Sequence, residues 1–174
     1  MDAAAIILER LDAYAIQVES AIGELTDEDL SHQPGPNDNP AGWLMWHMTR
    51  FEDRSFAHIA GRPQVWTEGD WHGRFGLPED PVDTGAGHTL ERVAVFRPRR
   101  EDLLGYFAAV RPKTRECLSG LTPENLDEEV DDFLRDARIR VGAILGRFFG
   151  DHFSHVGQIC YIRGHLKGWG KYGR

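Results

Sequence analysis

Asp151, His152 and His155 interrupt an otherwise apolar stripe. They lie in GDHFSHVGQICYIRG, residues 150–164, with Val141, Ile144, Leu145 and Phe148 before them and Ile159, Ile162 and Leu166 after, all at helical spacing. One amphipathic helix accounts for the whole pattern. Burying an unpaired polar group costs about 2–7 kcal/mol, so each of the three needs a partner. A single histidine on such a stripe is ordinarily a hydrogen-bonded core residue, but three neighbouring polar groups together point to a metal ion. At about 100° per residue, Asp151 and His155 fall within about 40° of each other, one turn apart. His152 and His155, three apart, converge as well, so spacing leaves both pairs open.

A site with an open coordination position needs a third protein ligand. The segment NPAGWLMWHMTRFEDRSFAHIAG, residues 39–61, is a second helix with a histidine at the edge of its buried side. Asn39 is the expected N-cap, Pro40 the first helical residue and Gly61 the stop. Leu44, Met48, Phe51, Ser55 and Ile59 trace the buried side, and His47 stands beside Met48. His47 is the predicted third ligand. His58, three turns on, reads as a surface or capping histidine.

The pairing of WLMWHMTRFED with a later HVGQICYIRG resembles the DinB-like superfamily of metal-binding four-helix bundles. Relatives there include thiol-dependent S-transferases and mycothiol-dependent maleylpyruvate isomerases. The resemblance implies an all-α, up-down-down-up four-helix bundle with a long aromatic loop between helices 2 and 3. It also implies two ligands four residues apart on the last helix, the second just before x-Gly-Gln. Those positions are Asp151 and His155 here, the carboxylate pattern of the mycothiol-type branch, with His152 a neighbour.

Two imidazoles and a carboxylate leave a metal with an open position, as in catalytic rather than structural zinc sites. Zinc is the first expectation, with nickel or iron behind it, because the same ligands suit several metals. An open position can hold a thiol as its thiolate, which then attacks an electrophilic carbon. The leading reading is a metal-dependent S-transferase or isomerase using a low-molecular-weight thiol as co-substrate. Water in that position makes a hydrolase instead, and a metal-binding, stress-related module without turnover is the third reading. No side chain near the motif stands out as a separate general base. Gln158, one turn past His155, is placed to orient a ligand. Arg163 or Lys167 could hold a substrate carboxylate, although cations in a last helical turn also suit the helix dipole.

These residues must be positioned by a chain of 174 residues, a length that suits one domain over residues 1–174. A net charge of -8 disfavours nucleic acid as a partner. Without a cationic leader or a membrane-length apolar run, the expected location is cytoplasmic, with no membrane partner. A homodimer through an exposed apolar helix face is a further expectation. Cys117 and Cys160 lie within predicted helices and suggest no disulfide framework.

Asp2 to Leu25 reads as the first helix, a scaffold with Ile7, Leu11, Tyr14, Val18 and Ile22 on one side. Thr26 caps a short turn over residues 27–32 before QPGPNDNP. Arg62 to Gly87 is rich in glycine and proline and too long for a plain connection. Its Trp66, Trp71, His72 and Phe75 either cover the end of the core or wall the metal site, with Trp66 the candidate for substrate contact. His72 and His88 are expected in solvent. Thr89 to Phe96 reads as a short helix, and Pro98 opens another through Leu118 that Pro112 should kink or split near Val110. Arg97, Arg99 and Arg100 form its solvated start. Thr122 caps a further turn leading into the acidic, solvated stretch Glu124 to Asp136. The glycine-rich tail, with Trp169 and Tyr172, either packs or frays.

Overall fold

The computed structural model describes residues 3–169; the expected helix start at Asp2 and the tail residue Tyr172 lie outside them. In chain order the helices are α1 (Ala3–Gly23), α2 (Asp27–Ser31), α3 (Ala41–Ala60), α4 (Val65–Glu68), α5 (Trp71–Phe75), α6 (Leu90–Val95), α7 (Arg100–Gly120), α8 (Pro123–Asp127) and, after the short strands β1 (Glu129–Asp131) and β2 (Arg138–Arg140), α9 (Val141–Lys167). Among the described residues the fold is all-α apart from this one antiparallel hairpin, in which Val130 pairs with Ile139. Its four long helices pack α3 against α7 and α9, and α1 against the same two. None of the described helices is long and apolar enough to cross a membrane.

Local chemistry sets the element ends. Thr26 and Asp29 form a reciprocal capping box at α2, and Thr122 and Asn125 do so at α8. Gly61 closes α3 in the left-handed region at φ 61°, where glycine carries no steric penalty. At its other end α3 begins one residue later than expected: Pro40, not Asn39, is the N-cap. Proline's fixed φ fits both positions, but ψ at Pro40 is an extended 152°.

α3 corrects a second expectation. It has no single buried side, because every residue from Ala41 to Asp53 is buried, while Ile59 is only partly so. Packing on α7 and α9 is joined by contacts with α2 and α4. The charges on α3 therefore have to find partners inside the protein. Asp53 accepts the amide N–H groups of Val65 and Trp66 at 2.9 and 2.8 Å, satisfying the N-terminus of α4 and tethering it to α3.

The glycine-rich segment is more ordered than its composition suggests. Trp66 and Trp71 enter the main core with Trp46, Tyr106 and Phe107. α7 runs through Pro112 without a break. Pro112 and Ala108, whose carbonyl loses its i+4 donor, are both solvent-exposed, so the lost bond falls on the wet side of the helix. The acidic stretch is not uniformly solvated either: it holds α8 and β1, and Asp132 is buried against Arg147 of α9.

Candidate metal centre

α3 and α9 cross where His47 faces Asp151 and His155. His47 Nε2 and His155 Nε2 each stand 3.3 Å from the same atom, Asp151 Oδ1. One ligand atom from each of the three residues lies within 4.8 Å of the other two. The imidazole planes are nearly perpendicular, at 82°, with centroids 4.9 Å apart.

The outer edges of both rings are anchored. The Nδ1–H of His47 donates to the Thr84 carbonyl oxygen at 2.5 Å, and that of His155 to the Gln158 side-chain oxygen at 2.7 Å. A carbonyl oxygen only accepts, so each ring carries its proton on Nδ1 and turns the Nε2 lone pair toward Asp151. Two lone pairs and a carboxylate oxygen then face one another, which requires either extra protons or a cation between them. The spacing favours the cation. Donors held about 2.0–2.1 Å from a tetrahedral zinc lie about 3.3–3.4 Å apart, whereas a charge-assisted N–H···O bond contracts to about 2.7–2.9 Å. In addition, Asp151 Oδ2 is buried without a hydrogen-bond partner among the described residues. The three side chains fit a divalent metal.

In the metal-free chain, where protons rather than a metal occupy the space between the imidazoles and Asp151, burial opposes ionisation of the carboxyl, but hydrogen bonds from His155 and His47 outweigh it and hold it far below its ordinary range. Burial likewise disfavours the His155 cation, yet Asp151 and Gln158 raise its pKa above the usual value.

His152, the alternative ligand, points elsewhere. Its Nε2 lies 2.9 Å from Glu52 Oε2, and Glu52 also accepts from Arg111 at 3.0 Å. Glu52 is fully buried; desolvation raises its pKa, but the hydrogen bond from His152 and the charges of His152 and Arg111 bring it below the ordinary value.

A cleft of about 450 Å³ opens onto the three residues, walled by Trp43, the 84–88 loop, Leu134 and Arg147. The Trp43 ring stacks on His47 at 4.9 Å and 7°. Gly85, at φ 91°, lets the loop pass directly over Trp43 and Trp46, since a Cβ there would sit 2.8 Å from each. A second groove of about 620 Å³ lies beyond Gln158, between Asn37, Leu44, Ser154 and Tyr161.

Most other predicted positions fall outside the cleft. Trp66 is buried in the core under the Arg50 guanidinium, 4.4 Å from its ring centroid. Arg163 pairs with Glu24 and donates to the Gly168 carbonyl, and Lys167 pairs with Asp29. His58 binds the Asp131 carbonyl and His72 lies by Asp70 and Glu79. His88 is not in solvent: it forms part of the cleft wall, its side chain only 7% exposed, with Nε2 on Asp83 Oδ1 at 2.9 Å. Cys117 and Cys160 are unpaired, and burial pushes both thiols up.

Several contributors escaped the sequence reading. Trp43 is one turn before His47 and was findable from that spacing; Glu52 was signalled only by being an acid within a buried helix. Thr84 acts through its backbone carbonyl, which no residue type announces.

A family model described as the DinB superfamily matches residues 11–159. A conserved protein from Enterococcus faecalis has a similar crystal structure, with a TM-score of 0.83 at 24% identity, covering 94% of this chain and 96% of that one. No curated protein matches the chain.

Proposed function

Because this chain belongs to the DinB superfamily, we propose that it is a metal-dependent enzyme that activates a low-molecular-weight thiol for attack on an electrophilic carbon. The carrying observation is the convergence of His47 Nε2, His155 Nε2 and Asp151 Oδ1, with each imidazole proton directed outward. A divalent metal bound by these residues supplies a Lewis-acid position that favours thiolate over thiol. Zinc is the preferred ion.

Thr84 and Gln158 fix the tautomers and ring orientations of the two histidines, so the donor set is arranged before a ligand arrives. Trp43, stacked on His47, and the 84–88 loop wall the cleft beside the triad. Neither cysteine lines this cleft, which supports an external thiol as the nucleophile. In the proposed step the thiol proton passes to solvent, a sulfur–carbon bond forms, and the leaving group departs with its bonding electrons.

The test is a zinc-loaded preparation assayed with a small thiol and 1-chloro-2,4-dinitrobenzene, following chloride release and the thioether. Product that requires both thiol and metal, and disappears in His155→Ala, supports the reading. Hydrolysis of the electrophile without thiol would replace it with the hydrolase alternative. Metal uptake without turnover across a panel of thiols and electrophiles would leave a metal-binding protein.

A further inference from the structure

Arg147 stands one turn before Asp151 on α9, in the wall of the same cleft, and is the one Lys or Arg among its lining residues. Its guanidinium is already oriented. Nη1 and Nη2 donate to Asp132 Oδ1 and Oδ2 at 2.9 and 3.0 Å, a bidentate pair. Asp132 is held in turn, with Oδ1 accepting the Leu134 amide at 3.0 Å. The carboxylate lies behind the arginine: Asp132's side chain is 3% exposed and is absent from the cleft wall, whereas Arg147's is 26% exposed. Asp132 takes two of the five guanidinium N–H donors, leaving the others for a group in the cleft.

We propose that this cleft binds a small anionic substrate, with Arg147 holding a carboxylate of the electrophile while its reactive end faces His47, Asp151 and His155. This inference rests on the metal-dependent reading above and adds the substrate class. The separation suits such a molecule. Residues four apart on a helix are offset by about 6 Å along its axis, so one small molecule in the cleft can meet both Arg147 and the triad. Trp43, Phe51 and Leu134 provide apolar walls for the carbon chain. Arg163 and Lys167 do not compete for this role, since they pair with Glu24 and Asp29 away from the cleft.

The Arg147–Asp132 pair also has a purely structural explanation, as a tie between the hairpin turn and α9. The two roles make opposite predictions for Asp132. Asp132→Asn keeps an oxygen for Leu134 but removes the negative charge competing for Arg147, so anion binding should hold or tighten. Arg147→Gln should weaken it by about 10- to 100-fold, the range for losing a hydrogen bond to a charged group.

The experiment titrates the zinc-loaded protein with succinate and with neutral succinamide, measuring zinc content on the same samples. The expected result is at least tenfold preference for succinate, lost in Arg147→Gln and retained or increased in Asp132→Asn. Should Arg147→Gln fail to fold, Arg147→Lys, which keeps charge but not the two-pronged geometry, is expected to show an intermediate preference. Equal binding of the two probes by zinc-loaded wild type, or a preference reduced in Asp132→Asn and unchanged on replacing Arg147, would overturn the assignment and leave the metal reading standing. Failure of the wild type to take up zinc, nickel or iron would overturn both.

Discussion

His152 places its Nε2 2.9 Å from the buried Glu52 carboxylate, and this turns the imidazole away from Asp151's shared oxygen although the two residues are adjacent in sequence. Glu52 is also the partner of Arg111, so releasing His152 for another task would disturb a buried charge cluster. His152→Ala is therefore expected to retain one metal per chain while destabilising the fold by about 1.5–3 kcal/mol, the scale of a hydrogen bond to a charged group. Asp151→Ala and His155→Ala should lose the metal. Elemental analysis with urea unfolding checks this, and loss of metal from the His152 variant alone would show that His152, not Asp151, is the ligand.

Gln158 acts through His155. Removing its side chain leaves the imidazole free to rotate and to exchange tautomers, so Gln158→Ala should lower metal affinity about 10- to 100-fold with stoichiometry unchanged. Trp43, stacked on His47, provides an intrinsic fluorescence signal for the titration. Wild-type affinity in this variant would remove Gln158 from the site.

Arg50 clasps the loop that supports His47. Completely buried, it donates to the carbonyl oxygens of Asp83, Asp80 and Pro81 at 3.1, 3.2 and 3.3 Å, just before Thr84 meets His47. Arg50→Met leaves those carbonyls and the nearby Asp53 without this cation. The expected loss is about 3–5 kcal/mol, as for other broken buried pairs, together with weaker metal binding. Denaturant titration of the metal-free form and a metal titration in buffer separate the two effects; unchanged metal affinity would mean that the loop holds Thr84 without Arg50.

Asp132 gives the fold a defined acid sensitivity. Hydrogen bonding from Arg147 lowers its carboxyl to about 2 in the folded chain, against about 3.9 when unfolded. A depressed folded pKa stabilises above the unfolded value and ceases to do so as pH falls through the folded one. The stability difference between wild type and Asp132→Asn should be constant above about pH 5 and shrink between about pH 4 and pH 2. Urea unfolding at stepped pH measures it, and a difference independent of pH would contradict the pairing.

Metal binding should weaken on acidification for a separate reason. Asp151 and Gln158 raise the His155 pKa despite its burial, so protons compete for Nε2 from above the ordinary imidazole range downward. Zinc affinity measured from pH 8 to pH 5.5 is expected to fall throughout the lower part of that range, and a flat profile would argue against an imidazole at the ion.

Much of this was legible in the chain because helices are local objects. The period of Val141, Ile144, Leu145 and Phe148 predicted α9, and a four-residue spacing brings Asp151 and His155 onto one turn whatever packs against them. The break in apolar patterning likewise singled out His47 on α3. Segments whose order depends on distant partners are less legible in the sequence. Trp66 belongs to the core because Trp46, Phe75 and Tyr106 surround it, and Asp132 is buried because Arg147 reaches it from α9.

Sequence alone determined the helical class, the elements carrying the donors, and the two candidate pairs on the last helix. Which way each side chain faces was decided by the tertiary structure. Glu52 draws His152 aside, the Thr84 carbonyl turns His47 toward Asp151, and Arg147 rather than Arg163 lines the cleft. Helical periodicity fixes azimuth within one element, whereas these choices depend on groups 37 to 100 residues apart that meet only when helices and loops pack.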